Sequence, residues 1–192
     1  MDFEAIKNNE KTLEFSISGI TPSYANALRR TAISAVKTFA IDSITVYENS
    51  SAIFDEYIAH RIGLIPLVSP SKGYSDTDEI LFTLDATGPI TVYSRDMETS
   101  DKEVKVASPN IPIIKLGKDQ RLRVDGKAVL NAAIKHAKFQ PGLVTYEQTG
   151  DESFKFYVES FGQMPPKEII NKACDIIKEE VSSISKALKK AK

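Results

Sequence analysis

A chain of 192 residues with 42% hydrophobic and 27% charged side chains has the make-up of a globular protein able to bury a core. Its net charge of −1 excludes a protein that grips nucleic acid over its whole surface. The only cysteine, Cys174, excludes a disulfide framework, a Cys-rich zinc site and the ligand set of an iron–sulfur cluster.

"KTLEFSISGI" alternates Leu13, Phe15 and Ile17 with Glu14, Ser16 and Ser18, the period of a strand with one buried face, and Gly19 ends it. "TPSYANALRRTAISAVKTFA" predicts a helix, with Thr21 as N-cap and Pro22 at the first helical position. "IDSITVYENS" predicts a second strand, from Ile41. A broken middle follows, punctuated by Pro66, Pro70, Gly73, Gly88, Pro89, Pro109 and Pro112. Within it, "DEILFTLDATGPITVYSRDM" gives two strands joined at Ala86–Pro89, and "IPIIKLGKDQRLRV" gives two more around Gly117–Asp119. "GKAVLNAAIKHAKFQP" is expected to be a helix stopped by Pro141. "GLVTYEQTGDESFKFYVES" is expected to be a hairpin turning at Thr149–Asp151, and one long helix follows Pro165–Pro166. The order suggests an α+β fold in which residues 1–48 and 153–192 form one discontinuous domain, interrupted by a mainly β insert, residues 49–152.

Two helices carry more apolar surface than one domain needs. On the first, Tyr24, Ala25, Leu28, Ala32, Ala35, Val36 and Phe39 fall on one stripe, and Ile33 lies outside it and widens the apolar face. Asn26, Arg30 and Lys37 cluster opposite, with Arg29 at the flank. On the last, Ile170, Cys174, Ile177, Val181, Ile184 and Leu188 recur as a heptad seam, beside a second strip of Ile169, Ala173, Ile176 and Ala187. Either both strips belong to an intramolecular core, or one meets a partner helix. Residues 153–192 hold 8 basic and 5 acidic side chains, an excess that suits the last turn of a helix better than a nucleic-acid patch.

Catalysis finds little support. Cys174 sits on an apolar seam, where a thiol behaves as a small hydrophobe. His136 lies among lysines with no carboxylate near in sequence, and His60 follows Asp55 and Glu56 at spacings that fit no metal motif. The acidic run Asp76–Glu79 lacks the turn glycine and distant glutamate of a calcium loop. No phosphate-cradling glycine loop, nucleophile elbow or dinucleotide fingerprint occurs. The chain is therefore expected to bind, with no catalytic residue and no metal ligand. No run of about 18 apolar residues exists and the opening "MDFEAIKNNEKTLEF" is unlike a secretory signal, so a cytoplasmic location without membrane attachment is expected.

"NALRRTAISAV", Asn26 to Val36, resembles the first-helix motif of the RNA polymerase α family. "AHRIGLIPL", Ala59 to Leu67, is similar to a stretch that the archaeal and eukaryotic branch carries after its second strand. "LDATGPITVYSRDM", "IPIIKLGKDQRLRV" and "HAKFQPGLVTYE" follow in the same order, so the likeness to the archaeal members, the D subunits, runs over essentially the whole chain. The resemblance implies an α-like dimerisation domain built from both chain ends. It implies pairing with a smaller α-like partner, the L subunit, and recruitment of the small N and P subunits. It also implies docking of the second-largest polymerase subunit, with DNA met only through the complex.

Carried over on the matched motifs, Arg30, with Asn26 and Arg29, would meet the second-largest subunit. His60, Arg61 and Gly63 would sit in a loop near that interface, with Ile62, Leu64 and Ile65 as its anchors. Leu28, Ile33 and the seam Ile170, Cys174, Ile177, Val181, Ile184 and Leu188 would serve dimerisation. Many archaeal members hold an iron–sulfur cluster in an inserted cysteine-bearing segment; here one cysteine is present and no cluster is expected. Two rival readings stay open: a free-standing nucleic-acid-binding module using Arg29, Arg30 and the C-terminal lysines, and a small hydrolase using His60 with Asp55 or Glu56.

Overall fold

The computed structural model describes residues 1–190. In chain order the elements are β1 (Asp2–Asn8), β2 (Thr12–Ser18), α1 (Pro22–Ser34), β3 (Lys37–Asn49), α2 (Asp55–Gly63), β4 (Glu79–Thr87), β5 (Ile90–Tyr93), β6 (Glu98–Thr99), β7 (Pro112–Leu116), β8 (Arg121–Ala132), β9 (Gly142–Gly150), β10 (Ser153–Ser160) and α3 (Pro166–Lys190). Short 3-10 turns lie at Ser94–Asp96 and Ala137–Phe139. The fold is α+β with antiparallel sheets, as the sequence suggested. Two units emerge: residues 1–37, 132–136 and those from Gln140 onward, and residues 38–131 with 137–139. Against the expected boundaries, β3 belongs with the insert, and β9 belongs with its hairpin partner β10.

The terminal unit is a sheet ordered β1-β2-β10-β9, with α1 and α3 contributing to the same core. Alternation decides its faces. Leu13, Phe15 and Ile17 of β2 and Phe154, Phe156 and Val158 of β10 point into the core, and Phe15 stacks on Phe156 at 5.0 Å between ring centroids. Glu14 takes Lys7 and Lys155 on the opposite face. Gly142 opens β9 where a Cβ would stand 2.2 Å from the Glu159 carbonyl oxygen, an approach only glycine permits. The strand β1 was not expected. All seven of its residues are exposed and it is held by pairing with β2 alone, so hydropathy carried little trace of it.

The first helix is shorter than expected. Thr21 caps it, its Oγ1 accepting from the Tyr24 N–H at 3.3 Å, and Ala25, Leu28 and Ala32 bury one stripe. It ends at Ser34, whose hydroxyl donates to the Arg30 carbonyl at 2.7 Å. Val36 and Phe39 are buried, but after the helix; Phe39 lies in β3, where a β-branched and aromatic run prefers the pleated backbone.

The insert unit is built on a sheet ordered β3-β8-β4-β6 and a small β5-β7 sheet. Its core gathers Phe39 and Ile41 of β3, Phe82 and Leu84 of β4, Leu122 and Val124 of β8, and Ile58 and Ile62 of α2. The stretch expected as a helix from Gly126 is strand as far as Ala132 and turns beyond it. Gly126, Ala128 and Ala132 are buried while Lys127 is exposed and reaches Glu79 across the ladder at 2.9 Å. Pairing along the whole of β4 outweighs the helix propensity of Lys127–Leu130. Beyond it, Phe139 is buried, its carbonyl accepting from the Thr38 hydroxyl at 2.8 Å. Lys138 clamps the same turn by an ion pair to Asp42 at 2.8 Å and a hydrogen bond to the Ile41 carbonyl at 3.0 Å.

Candidate assembly surfaces

Three helices carry the residues singled out from sequence. On α1, Arg29 donates to the Asn26 side-chain oxygen at 2.9 Å, one helical turn away, so Asn26 holds a half-buried guanidinium in place. Arg30 is exposed, with no ion pair or side-chain hydrogen bond among the described residues. Its planar head is free to meet a carboxylate or carbonyl group. Leu28, expected at a partner interface, is only 1% exposed and packs in the core of its own unit. Ile33 is half-buried against that core. The stripe at Ala25, Leu28 and Ala32 is therefore intramolecular, and Ile33 sits at its margin.

On α3 burial divides along the length of the helix. Ile169 and Ala173 are fully buried. Ile170, Ile176 and Ile177 are half-buried against the same core. Further along, the seam leaves the domain: Val181 and Ile184 are each 62% exposed and Leu188 is 69% exposed. From Lys178 to Lys190 every residue is exposed, a stretch about 20 Å long at 1.5 Å per residue. Cys174 lies on the open side. Desolvation by its surroundings, then the charge of Asp175, raises its thiol pKa. The thiol stays protonated at neutral pH, which removes its nucleophilic form.

The "AHRIGLIPL" segment is a correction. The expected tight loop is the end of α2, and Ile58 and Ile62, four residues apart, bury its inner face. Asp55 and Glu56 in the first turn and His60 and Arg61 in the last suit the helix dipole. Gly63 has no positive φ, and a Cβ there would stand in ordinary contact, 3.4 Å from the Ile41 carbonyl oxygen. Ile65 anchors the exit at 1% exposed, whereas Leu64 is half exposed. The His60 side chain is exposed, with no carboxylate within ion-pair distance among the described residues. Asp55 is engaged by the Asn49 amide at 2.7 Å, so the geometry gives the hydrolase reading no orienting partner for His60. Arg61 is half-buried and donates to the Pro112 carbonyl; its guanidinium lies 6.0 Å from the Tyr57 ring centre.

A further apolar surface was not anticipated from sequence. Phe3 of β1 is 63% exposed and packs on Phe15 at 5.3 Å. The alternation of Phe3 and Ala5 in "DFEAI" was the available signal. It was masked by Asp2 and Glu4, the charged residues flanking Phe3.

A terminal helix whose first half packs on its own core and whose second half carries exposed apolar side chains accords with what comparison with known proteins reveals. The RNA polymerase Rpb3/Rpb11 dimerisation domain matches residues 14–181. The chain belongs to the archaeal Rpo3 family, the D subunits. It is 44% identical to DNA-directed RNA polymerase subunit Rpo3 of Methanocaldococcus jannaschii over 187 residues, covering 95% of this chain and 96% of that protein. It is also 44% identical to the Rpo3 of Thermococcus kodakarensis over 153 residues, but there the match covers 77% of this chain and 59% of the longer relative. The Rpo3 of Halobacterium salinarum matches at 40% over 142 residues, 74% of this chain and 57% of that protein. The α-like dimerisation fold expected from "NALRRTAISAV" and "AHRIGLIPL" is thus the family's fold. Among the described residues, no helix is long and apolar enough to cross a membrane.

Proposed function

We propose that the chain is a non-catalytic assembly subunit of DNA-directed RNA polymerase. It pairs with the smaller L subunit through the open strip of α3, with Ile33 at its edge. The pair gathers the N and P subunits and docks the second-largest subunit. DNA is met only through the finished complex, in the cytoplasm. One observation carries the reading: α3 closes its own core with Ile169 and Ala173 and then extends Val181, Ile184 and Leu188 into solvent. Each such side chain contributes about 1.5–3 kcal/mol when fully buried, so a partner helix is strongly favoured over exposure.

Docking of the second-largest subunit falls to Arg30, with Arg29 held by Asn26, and to the α2 segment at His60, Arg61 and Gly63. Support comes from the free guanidinium of Arg30 and from the match of both motifs to the family. With Cys174 as its only cysteine, the protein assembles without a thiolate-held iron–sulfur cluster.

Light scattering after size-exclusion tests the pairing, on the chain alone and co-expressed with an archaeal L subunit. A persistent 1:1 complex is expected. A stable monomer that ignores the L subunit overturns the reading, and salt-dependent binding of DNA or RNA by that monomer would establish the nucleic-acid module instead. Arg30→Ala is expected to leave the pair intact and weaken capture of the second-largest subunit. Undiminished capture removes Arg30 from that interface.

A further inference from the structure

In the insert unit, two arginines far apart in sequence attach to paired residues of the β5-β7 sheet. Arg61 of α2 donates to the carbonyl of Pro112, and Pro112 pairs with Tyr93 across that sheet. Arg95 follows Tyr93 by two residues; its guanidinium lies 4.6 Å from the Tyr93 ring centre and donates to the Asn110 side chain at 2.9 Å. Arg61 is similarly placed over Tyr57, which is 55% exposed. Exposed Lys115 lies on the neighbouring strand, opposite Thr91.

Neither arginine has a carboxylate within ion-pair distance among the described residues, and the Arg61 Nε is buried without any acceptor. The local acid, Asp96, is turned to the Tyr93 backbone N–H at 2.7 Å. Arg121 on the same unit is neutralised, with Asp85 at 2.7 Å and Glu48 at 3.4 Å, whereas Arg123, over the Tyr47 ring at 5.3 Å, stands without an ion pair among the described residues. The contrast with Arg121 marks a pair of guanidinium groups set in orientation by aromatic rings and lacking counter-charges.

We propose that this Tyr57–Arg61–Tyr93–Arg95 surface docks an acidic, partly apolar segment of another protein chain. Carboxylates fit the fork geometry of arginine, and tyrosine and arginine together are the residue types that dominate binding energy at protein interfaces. The apolar component meets the open face of Tyr57 and the exposed ring of Pro112. Single-stranded nucleic acid fits less well. The two rings that would stack bases already carry arginines, and a chain of net charge −1 offers no long phosphate track. The proposal rests on the assembly reading only through Arg61, and names the chemistry of what docks there.

The test uses the full-length chain, alone and co-expressed with the L subunit, and fluorescence anisotropy with a labelled peptide of alternating glutamate and leucine. The same peptide with lysine in place of glutamate serves as the control. Binding of the acidic peptide alone is expected, weakening as salt rises. Arg95→Glu is expected to weaken it about tenfold, and Tyr57→Ala to weaken it to a smaller degree, with melting temperatures unchanged because both side chains are exposed. No binding, wild-type affinity in Arg95→Glu, or tighter binding of a single-stranded oligothymidylate that depends on the same residues would overturn the proposal. Size-exclusion of the same samples separates the two readings: loss of peptide binding with pairing intact sinks this proposal alone, and the reverse sinks the assembly reading alone.

Discussion

The terminal unit and the insert unit solve the same problem differently. The insert surrounds its apolar residues with two sheets and α2, and fastens its surface with ion pairs such as Arg121–Asp85 and Lys138–Asp42. The terminal unit has one sheet with two helices against it, and leaves Phe3, Val181, Ile184 and Leu188 in water. Exposed single hydrophobes are common on any protein. A stripe at helical spacing beyond the edge of a domain is not, and it is the feature on which the proposed pairing rests.

The comparison breaks most sharply inside α3. Ile169→Ala removes a side chain with no exposed surface from the terminal core, and should cost about 2–5 kcal/mol of stability, read as a lower denaturation midpoint for the chain without a partner. Ile184→Asp should act in the opposite way. Its site is 62% exposed, so the isolated chain should lose no more than about 0.5 kcal/mol. Pairing with the L subunit should be lost on size-exclusion, because a charge would enter an apolar contact. Ile184 is the cleaner probe than Ile177, which also packs on its own core. A large stability loss in Ile184→Asp would show that the outer strip is needed by the monomer, and the contrast between the units would fall.

The insert's polar fastenings give smaller effects. Burial, then the hydrogen bond to Asp101, pushes the Tyr74 phenol up to about 12. An acid whose folded pKa is raised stabilises the fold below its ordinary pKa, near 10, and that contribution is lost as pH rises through the folded value. Ultraviolet titration should therefore show Tyr74 ionising late, and Tyr74→Phe should remove the alkaline loss of stability that accompanies it. The hydrogen bond from Arg121, and then its charge and that of Arg123, hold the Asp85 carboxyl below the usual range against an opposing desolvation. Its contribution is present above about pH 4 and lost as pH falls through the lowered value. Asp85→Asn should flatten that acid limb slightly, since the pair is exposed and screened. An unchanged acid profile would mean that the ion pair fastens nothing.

Where one strand face is apolar and the other polar, the sequence was legible. β2, the β9–β10 hairpin and the full length of α3 were read from Leu13–Ile17, from Phe154–Val158 and from the isoleucine spacing after Pro166. Reading failed where local preference and tertiary pairing disagree. Lys127–Leu130 would suit a helix, but β4 on one side and β3 on the other make it a strand. Residues 55–63 carry glycine and charged side chains that suit a turn, but Ile58 and Ile62 find a core to fill and hold a helix. Of the candidate site, the motif residues Asn26, Arg29 and Arg30 were found from sequence. That Asn26 serves Arg29 while Arg30 stands free was not.

The sequence alone determined that α3 is amphipathic on two strips, that the chain carries a single cysteine, and which family motifs it carries, because periodicity and composition are local properties. Which part of α3 is buried, that Leu28 belongs to the core, and that Arg61 and Arg95 attach to the paired residues Pro112 and Tyr93 were decided only by tertiary structure. Burial depends on surfaces supplied by residues distant in the chain, and no local pattern encodes which of those surfaces will be present.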